Sequence, residues 1–282
     1  MIGLRWTIGD VSRRGFEALR LSLWGAWKLF GADAGYCVLV NSIAVSRARE
    51  LAGSVPRSVV WCCADALMPM WLRARFLDAG LAEGVAWKFA PLRCFHDCRE
   101  LSLDNDVVLW DMPSALTAWL DDADGERALL AEDVAPSFGR FAGRCGARPL
   151  NSGIRGLPVG FDLEARLRAV LDEQPTCLSS ELDEQGLQVA ALACDDQSPP
   201  HIVAVKDVTI CSPFPPHLPQ LGHCGAHFVG LNSRRTDWEF YGEPAEVVRA
   251  RHWDELRDEL HERVGLVPVS DRSARPGTGD LR

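Results

Sequence analysis

Asp104 and Asp106 bracket a single residue in LSLDNDVVLW, residues 101–110, with the apolar run Val107-Val108-Leu109-Trp110 directly behind them. Carboxylates are costly to bury, so a pair set against a strand-like run is either an ordinary polar turn or a ligand set. Acidic residues two apart at the end of an extended segment can offer oxygen atoms to one divalent cation. Mg²⁺ and Mn²⁺ favour octahedral oxygen coordination and often take only one or two carboxylates, which leaves positions for substrate phosphates. Under two-residue periodicity Asn105 points to the opposite side, so the two aspartates share a face. Taken alone, so short a pattern favours the turn.

Three further groups have side chains suited to the same chemistry. In RPLNSGIRGLPVGFDL, residues 148–163, Asn151-Ser152-Gly153 offers an amide, a hydroxyl and a residue without a side chain. Such a turn lets backbone approach a polyhydroxylated ligand closely. In ELDEQGL, Asp183, Glu184 and Gln185 fall at a predicted helix start, where a solvated face is the simpler reading. In HCGAHFVGLN, His223 and His227 sit beside Gly225 and Gly230. Alone, such a histidine is more often a core residue than a metal ligand.

These groups need elements to hold them. The β-branched runs YCVLV (36–40), SVVWC (58–62), NDVVLW (105–110) and HIVAVKDVTI (201–210) are predicted as buried strands. In FDLEARLRAVLDE, Leu163, Leu167, Val170 and Leu171 share one helical face, with Asp162 placed to cap it. SSELDEQGLQVAALA predicts a second helix, capped by Ser179 or Ser180, with Leu182, Val189 and Leu192 turned inward. Near the carboxyl end Val248, Trp253, Leu256, Leu260 and Val264 form the apolar stripe of a third. Strands alternating with helices give an α/β fold, a mixed, mostly parallel sheet with helices on both faces. The proline-rich stretch 211–225 can only be a loop. A single domain over 1–270, followed by a disordered tail at 271–282, accounts for the whole chain.

Composition narrows the classes. The 282 residues are 47% hydrophobic and 24% charged, ordinary globular usage. A formal charge of −9 and a pI near 5.3 argue against generic nucleic-acid binding. No apolar run approaches the roughly 18 residues of a membrane span, and the amino end lacks a signal architecture. The expected location is the cytoplasm. Ten scattered cysteines form no CxxC pair, and CFHDC, Cys94 to Cys98, lacks a second zinc-binding half. They are expected to be reduced and to act as small apolar residues.

The order of the four groups carries more than any one of them. A DxD on a strand, an Asn-Ser-Gly turn, an acidic-Gln segment and a late His-Phe-x-Gly together resemble a nucleotide-sugar glycosyltransferase of the GT-A fold. The likeness is strongest to the glycogenin-like and lipopolysaccharide galactosyltransferase group, over roughly residues 30–235. It implies that Asp104, Asp106 and His227 hold Mn²⁺ or Mg²⁺ against the diphosphate of a donor, a UDP-sugar, with Gly230 admitting the phosphates. It implies that Asn151 contacts the donor sugar or the developing charge near it as a catalytic group, with Ser152 and Gly153 beside it in the donor site. It implies too that Asp183, Glu184 and Gln185 lie on the sugar's face as catalytic groups. The first strand of the sheet, taken to be the one ending at Asn41 and Ser42, would support the base. Retention of anomeric configuration is favoured, the acceptor is unassigned, and a homodimer is left open.

The sequence also departs from that group. Leu231-Asn232-Ser233-Arg234-Arg235 stands where a Lys-Pro-Trp continuation is usual, and Arg234 or Arg235 could supply the missing positive charge. The acidic segment reads Asp-Glu-Gln in place of Asp-Gln-Asp, and the amino end shows no match to the usual opening strand. A nucleotidyltransferase would want a Gly-rich, basic loop after its first strand, whereas GADAGY (31–36) precedes the strand and has no Lys or Arg. A non-catalytic binding protein on the same fold is the third reading.

Overall fold

Gly3, Arg5 and Thr7 interrupt the apolar residues of the amino-terminal segment, yet Ile2–Ile8 is strand β1, in the middle of the main sheet. The strand ending at Asn41, Gly35–Val40, is therefore the second strand, β2, not the first as the sequence suggested. A computed structural model describes residues 1–77, 85–122, 125–193, 198–232 and 238–267. The tail 271–282, Arg234, Arg235 and Cys194 lie outside the described residues.

From β1 the chain turns into helix α1 (Arg13–Phe30), capped by Ser12, whose hydroxyl accepts from the Gly15 amide at 3.2 Å. After β2 come α2 (Val45–Ala52), β3 (Val59–Cys63), the short α3 (Met70–Arg73) and a 3-10 turn, Val85–Phe89. Strands β4 (Arg99–Leu103) and β5 (Val107–Leu109), helix α4 (Ser114–Asp121), and strands β6 (Leu129–Glu132) and β7 (Leu150–Leu157) follow. Helices α5 (Leu163–Glu173) and α6 (Glu181–Ala193) precede β8 (His201–Val203), β9 (Val208–Ile210) and β10 (Gly225–His227). A hairpin of β11 (Glu239–Phe240) and β12 (Glu243–Pro244) leads into α7 (Ala245–Val264).

The main sheet runs β3-β2-β1-β4-β7-β6-β8. Only β7 opposes its neighbours; the other pairings are parallel. Alternation splits each strand between two cores. Tyr36, Val38 and Val40 of β2 join Phe16, Leu19 and Trp119 on one face, while Cys37 and Leu39 join Leu167, Leu171 and Leu187 on the other. Helices thus cover both faces, as the α/β pattern predicted. A second, smaller sheet, β5-β10-β9, packs against α1 and α7 through Val108, Ala226, Phe228 and Trp253. At that junction Glu17 of α1 accepts from Arg257 at 2.8 Å and lies 3.1 Å from His261 Nε2.

Several local expectations change. Asn151-Ser152-Gly153 is not a turn: it lies inside β7, an eight-residue strand buried throughout. Its glycines and polar groups mask a strand that pairs with β4 from Ile154 onward and with β6 on either side of a register shift at residues 152–154. HIVAVKDVTI is two strands in two sheets, since Asp207 and Val208 donate back to Ala204 and close a turn between them. Leu182 is 43% exposed, because its place in the first turn of α6 faces solvent while Leu187 and Val189 reach the core. The predicted caps hold: Asp162 accepts from Ala165 N at 2.9 Å, and Ser180 from Asp183 N at 3.3 Å. The cysteines other than Cys194 are free thiols. Among the described residues no helix is long and apolar enough to cross a membrane.

Candidate functional site

Asp104 and Asp106 lie where the chain passes from the main sheet to the second sheet. Asp104 follows the last residue of β4, and Val107 N donates back to Asp104 O at 3.0 Å, closing a tight turn. Asn105 turns away, donating its amide to Gly15 O at 3.3 Å. On β10, which pairs antiparallel with β5, His227 sits opposite Val107. The register therefore brings its imidazole to the aspartates: Nε2 is 3.6 Å from Asp104 Oδ2 and 3.5 Å from Asp106 Oδ1. One ligand atom from each of the three lies within 4.8 Å of the others. Two carboxylate oxygens and one imidazole nitrogen, with only part of a coordination sphere filled, suit a hard divalent cation that keeps positions for phosphate. Burial lowers the basicity of His227, but the Asp106 hydrogen bond and the negative charge of both aspartates outweigh it and raise its pKa.

Gly153 makes this approach possible. It bonds to Asp104 through its carbonyl at 2.8 Å and faces the imidazole edge. A Cβ there would lie 2.4 Å from His227 Cε1 and 2.7 Å from Nδ1. Asn151, two residues back on the same side of β7, accepts from Gly153 N at 2.6 Å and donates to Asp133 Oδ2 at 3.0 Å. The Ser152 hydroxyl is buried with no hydrogen-bond partner among the described residues. The chain after His227 is tied to the same turn. Phe228 N donates to Asp106 O at 3.0 Å, and Asn232 Nδ2 to Asp106 Oδ2 at 3.3 Å.

A lysine closes the other side. Lys88, in the 3-10 turn, lies 2.8 Å from Asp104 Oδ2 and 3.6 Å from Glu184 Oε2. Burial disfavours its charge, yet the two carboxylates raise its pKa well above the usual lysine value. Glu184 is 1% exposed and accepts from Gln188, which in turn accepts from Arg155 of β7. Burial pushes the Glu184 carboxyl up to about 7, against the pull of Lys88. Under this layer Arg5 of β1 donates to Lys88 O at 3.0 Å and Pro91 O at 2.6 Å, with Glu100 of β4 at 3.7 Å. Glu100 also accepts from the amides of Cys94 and Phe95. The polar face of the central strands thus fixes the segment that carries Lys88.

The neighbours of Glu184 point elsewhere. Asp183 accepts from Arg140 N and from the Ser179 amide, both at 2.9 Å. Burial raises its pKa, but those bonds hold it below the usual carboxylate range. Gln185 donates to Ser137 O at 2.9 Å. Asn41, 1% exposed, bridges the ends of β1 and β2, donating to Ile8 O at 3.2 Å and accepting from Ser42 Oγ at 2.6 Å. Beyond it, an open cleft of about 660 Å³ is lined by Ser42, Ile43, Cys63, Asp65, Arg73 and Trp87. Gly230 has φ +77° and backs onto Arg249.

No family model matches the sequence, and neither does any curated protein. Solved structures do match. An active-site mutant of LgtC aligns over 95% of this chain and 98% of its own, with 12% identity and a TM-score of 0.51. The apo form of mouse xyloside xylosyltransferase 1 aligns over 76% and 89%, with 14% identity and a TM-score of 0.50. The fold is GT-A. A complex of the galactosyltransferase LgtC with donor and acceptor sugar analogues aligns over 95% and 98%, with 11% identity and a TM-score of 0.49. The GT-A fold is the one the motif order implied.

Within this GT-A frame, sequence reasoning missed Lys88, Asp133, Gln188 and the buried Arg5–Glu100–Arg155 face. Lys88 had one readable signal. The chain holds only three lysines, Lys28, Lys88 and Lys206, and Lys88 interrupts the apolar run AWKFAPL.

Proposed function

We propose that the chain is a divalent-metal-dependent glycosyltransferase that moves a sugar from a nucleoside-diphosphate donor, a UDP-sugar, to an acceptor hydroxyl in the cytoplasm. The observation that carries this is the meeting of Asp104, Asp106 and His227 at the carboxyl end of β4 in a GT-A fold. These three residues would hold Mn²⁺ or Mg²⁺. When bound, the ion supplies Lewis-acid neutralisation of a leaving diphosphate.

The chain's own residues do the rest. In the transfer, the bond from the anomeric carbon to the diphosphate oxygen breaks and one from the acceptor oxygen forms. With retention, the acceptor proton passes to the leaving diphosphate oxygen. Glu184, buried and facing Lys88, orients the donor sugar and faces the cationic character that develops at its anomeric carbon. Lys88 holds Glu184 and Asp104 at fixed separation, which is preorganisation for that charge. Asp183 and Gln185 lock the first turn of α6 so that Glu184 points inward. Asn151 with Asp133, Ser152 and Gly153 form the floor under the sugar. Asn41 shapes the mouth of the cleft beyond β2, which takes the nucleoside.

The experiment is a donor panel: binding and hydrolysis of several nucleotide-sugars by the full chain, with and without Mn²⁺. Turnover of one donor only when metal is present supports the reading. Metal-independent behaviour with every donor removes it.

A further inference from the structure

Arg249, in the second turn of α7, is half-buried and its guanidinium donates no hydrogen bond among the described residues. Its Nε is buried without a partner. No carboxylate among the described residues lies within ion-pair distance of it; the acidic group that influences it is Glu246, one helical turn away. An arginine carries five N–H donors and cannot readily give up its charge. Leaving its Nε dry and unpaired is unfavourable, and burial lowers the guanidinium pKa.

Its position is specific. One side of the guanidinium faces the Phe214 ring, with Cζ 5.5 Å from the centroid. Phe214 itself is wedged between Trp238 and Phe240, at 4.6 and 5.1 Å. The other side lies against Gly230: a Cβ there would meet Nη2, Cζ and Nε at 3.3, 3.4 and 3.5 Å. Gly230 is the bare point of the loop running from His227 to Asn232, and Asp106 binds that loop near both ends. A diphosphate held at Asp104, Asp106 and His227 would lie along this loop. Only a residue without a side chain leaves the guanidinium open to it.

We infer that Arg249 is the protein's cation for the donor diphosphate, a binding residue delivered from the carboxyl-terminal helix across Gly230. This rests on the reading of the site as a nucleoside-diphosphate site. Phe214, packed by its aromatic neighbours, holds the guanidinium beside Gly230, and arginine's planar fork binds phosphate oxygens bidentately. The ligand class is a nucleoside diphosphate; a monophosphate, one phosphate shorter, would reach the metal but not the fork.

The test measures binding of UDP and UMP to the full chain with Mn²⁺, for wild type, Arg249→Gln and Arg249→Lys, with thermal midpoints recorded alongside. Expected is a UDP affinity loss of roughly tenfold to a hundredfold in Arg249→Gln, from one charge-assisted contact, with UMP affinity unchanged. Arg249→Lys, which keeps the charge without the fork, should fall between. An unchanged UDP-to-UMP ratio in both variants overturns the inference, as does an equal loss for both nucleotides, which would assign Arg249 to packing on Phe214. If Arg249→Gln fails to fold, the ratio in Arg249→Lys decides alone. If wild type binds neither nucleotide with Mn²⁺, the diphosphate-site reading itself fails, a separate outcome.

Discussion

Lys88 places its ammonium 3.6 Å from Glu184 Oε2 while holding Asp104 Oδ2 at 2.8 Å on its other side. One cation thus links the carboxylate at the end of β4 to the carboxylate in the first turn of α6. The link is supported from below by Arg5, which is bound to the carbonyl of the same lysine. Replacing Lys88 by Met should lower transfer by about 10²- to 10³-fold, the cost of losing one aimed charge in a preorganised site. Lys88→Arg should recover part of it. Steady-state rates at saturating Mn²⁺ check this, and a Lys88→Met enzyme with full activity would remove the lysine from the mechanism.

Glu184 gives the pH dependence a sign. Its folded pKa, about 7, lies above the ordinary 4.5. The folded state therefore keeps a proton that the unfolded chain releases, and stability falls as pH rises through that window. The contribution, at most about 3 kcal/mol, is full below the unfolded pKa and gone above the folded one. Thermal midpoints of metal-free wild type should drop between pH 5 and pH 8 relative to Glu184→Gln, which has no proton to lose there. Parallel curves for the two proteins would show that Glu184 ionises normally.

Gly153 tests the geometry around His227 without altering a ligand. An alanine Cβ, built 2.4 Å from His227 Cε1, must displace the ring. Gly153→Ala should weaken Mn²⁺ binding at least tenfold, an effect of the size seen when groups that orient a metal ligand are changed. Calorimetric titration with Mn²⁺ checks it; unchanged affinity would mean that the ring can move without consequence.

Glu100 tests the support beneath the site. It is fully buried against Arg5 and accepts two amides of the segment following Lys88. Glu100→Ala leaves Arg5 as an uncompensated buried charge and should cost about 3–5 kcal/mol. Chemical denaturation measures the loss.

What could be read in the sequence follows from what physical chemistry makes unusual. Acidic residues against an apolar run, and a histidine among glycines, are conspicuous, so Asp104, Asp106 and His227 could be grouped before any coordinates. β-branched runs announced β2 and β3, although β3 is a partly exposed edge strand and not the buried one expected, and an apolar stripe announced α7. The amino-terminal strand alternates Ile2, Leu4, Trp6 and Ile8 with Gly3, Arg5 and Thr7, but it escaped notice because Arg5 places a charge on a face that is also buried, where charge is uncommon. Asn151-Ser152-Gly153 looked like a turn for a related reason: polar and small residues line a buried strand where His227 needs room. Lys88 could not be assigned, since its partners are 16 and 96 residues away in sequence and meet it only through the sheet.

The most direct measurement is the thermal midpoint of the full chain with Mn²⁺, with UDP, and with both, for wild type and Asp106→Asn. A ligand near a hundred times its dissociation constant adds about 2.7 kcal/mol, roughly 5 °C or more for a chain of this size. Wild type should show that rise only with metal and UDP together, well above either alone, and Asp106→Asn should not show it. No shift with any nucleoside diphosphate, or an equal shift in Asp106→Asn, would contradict a metal-bound diphosphate at Asp104, Asp106 and His227.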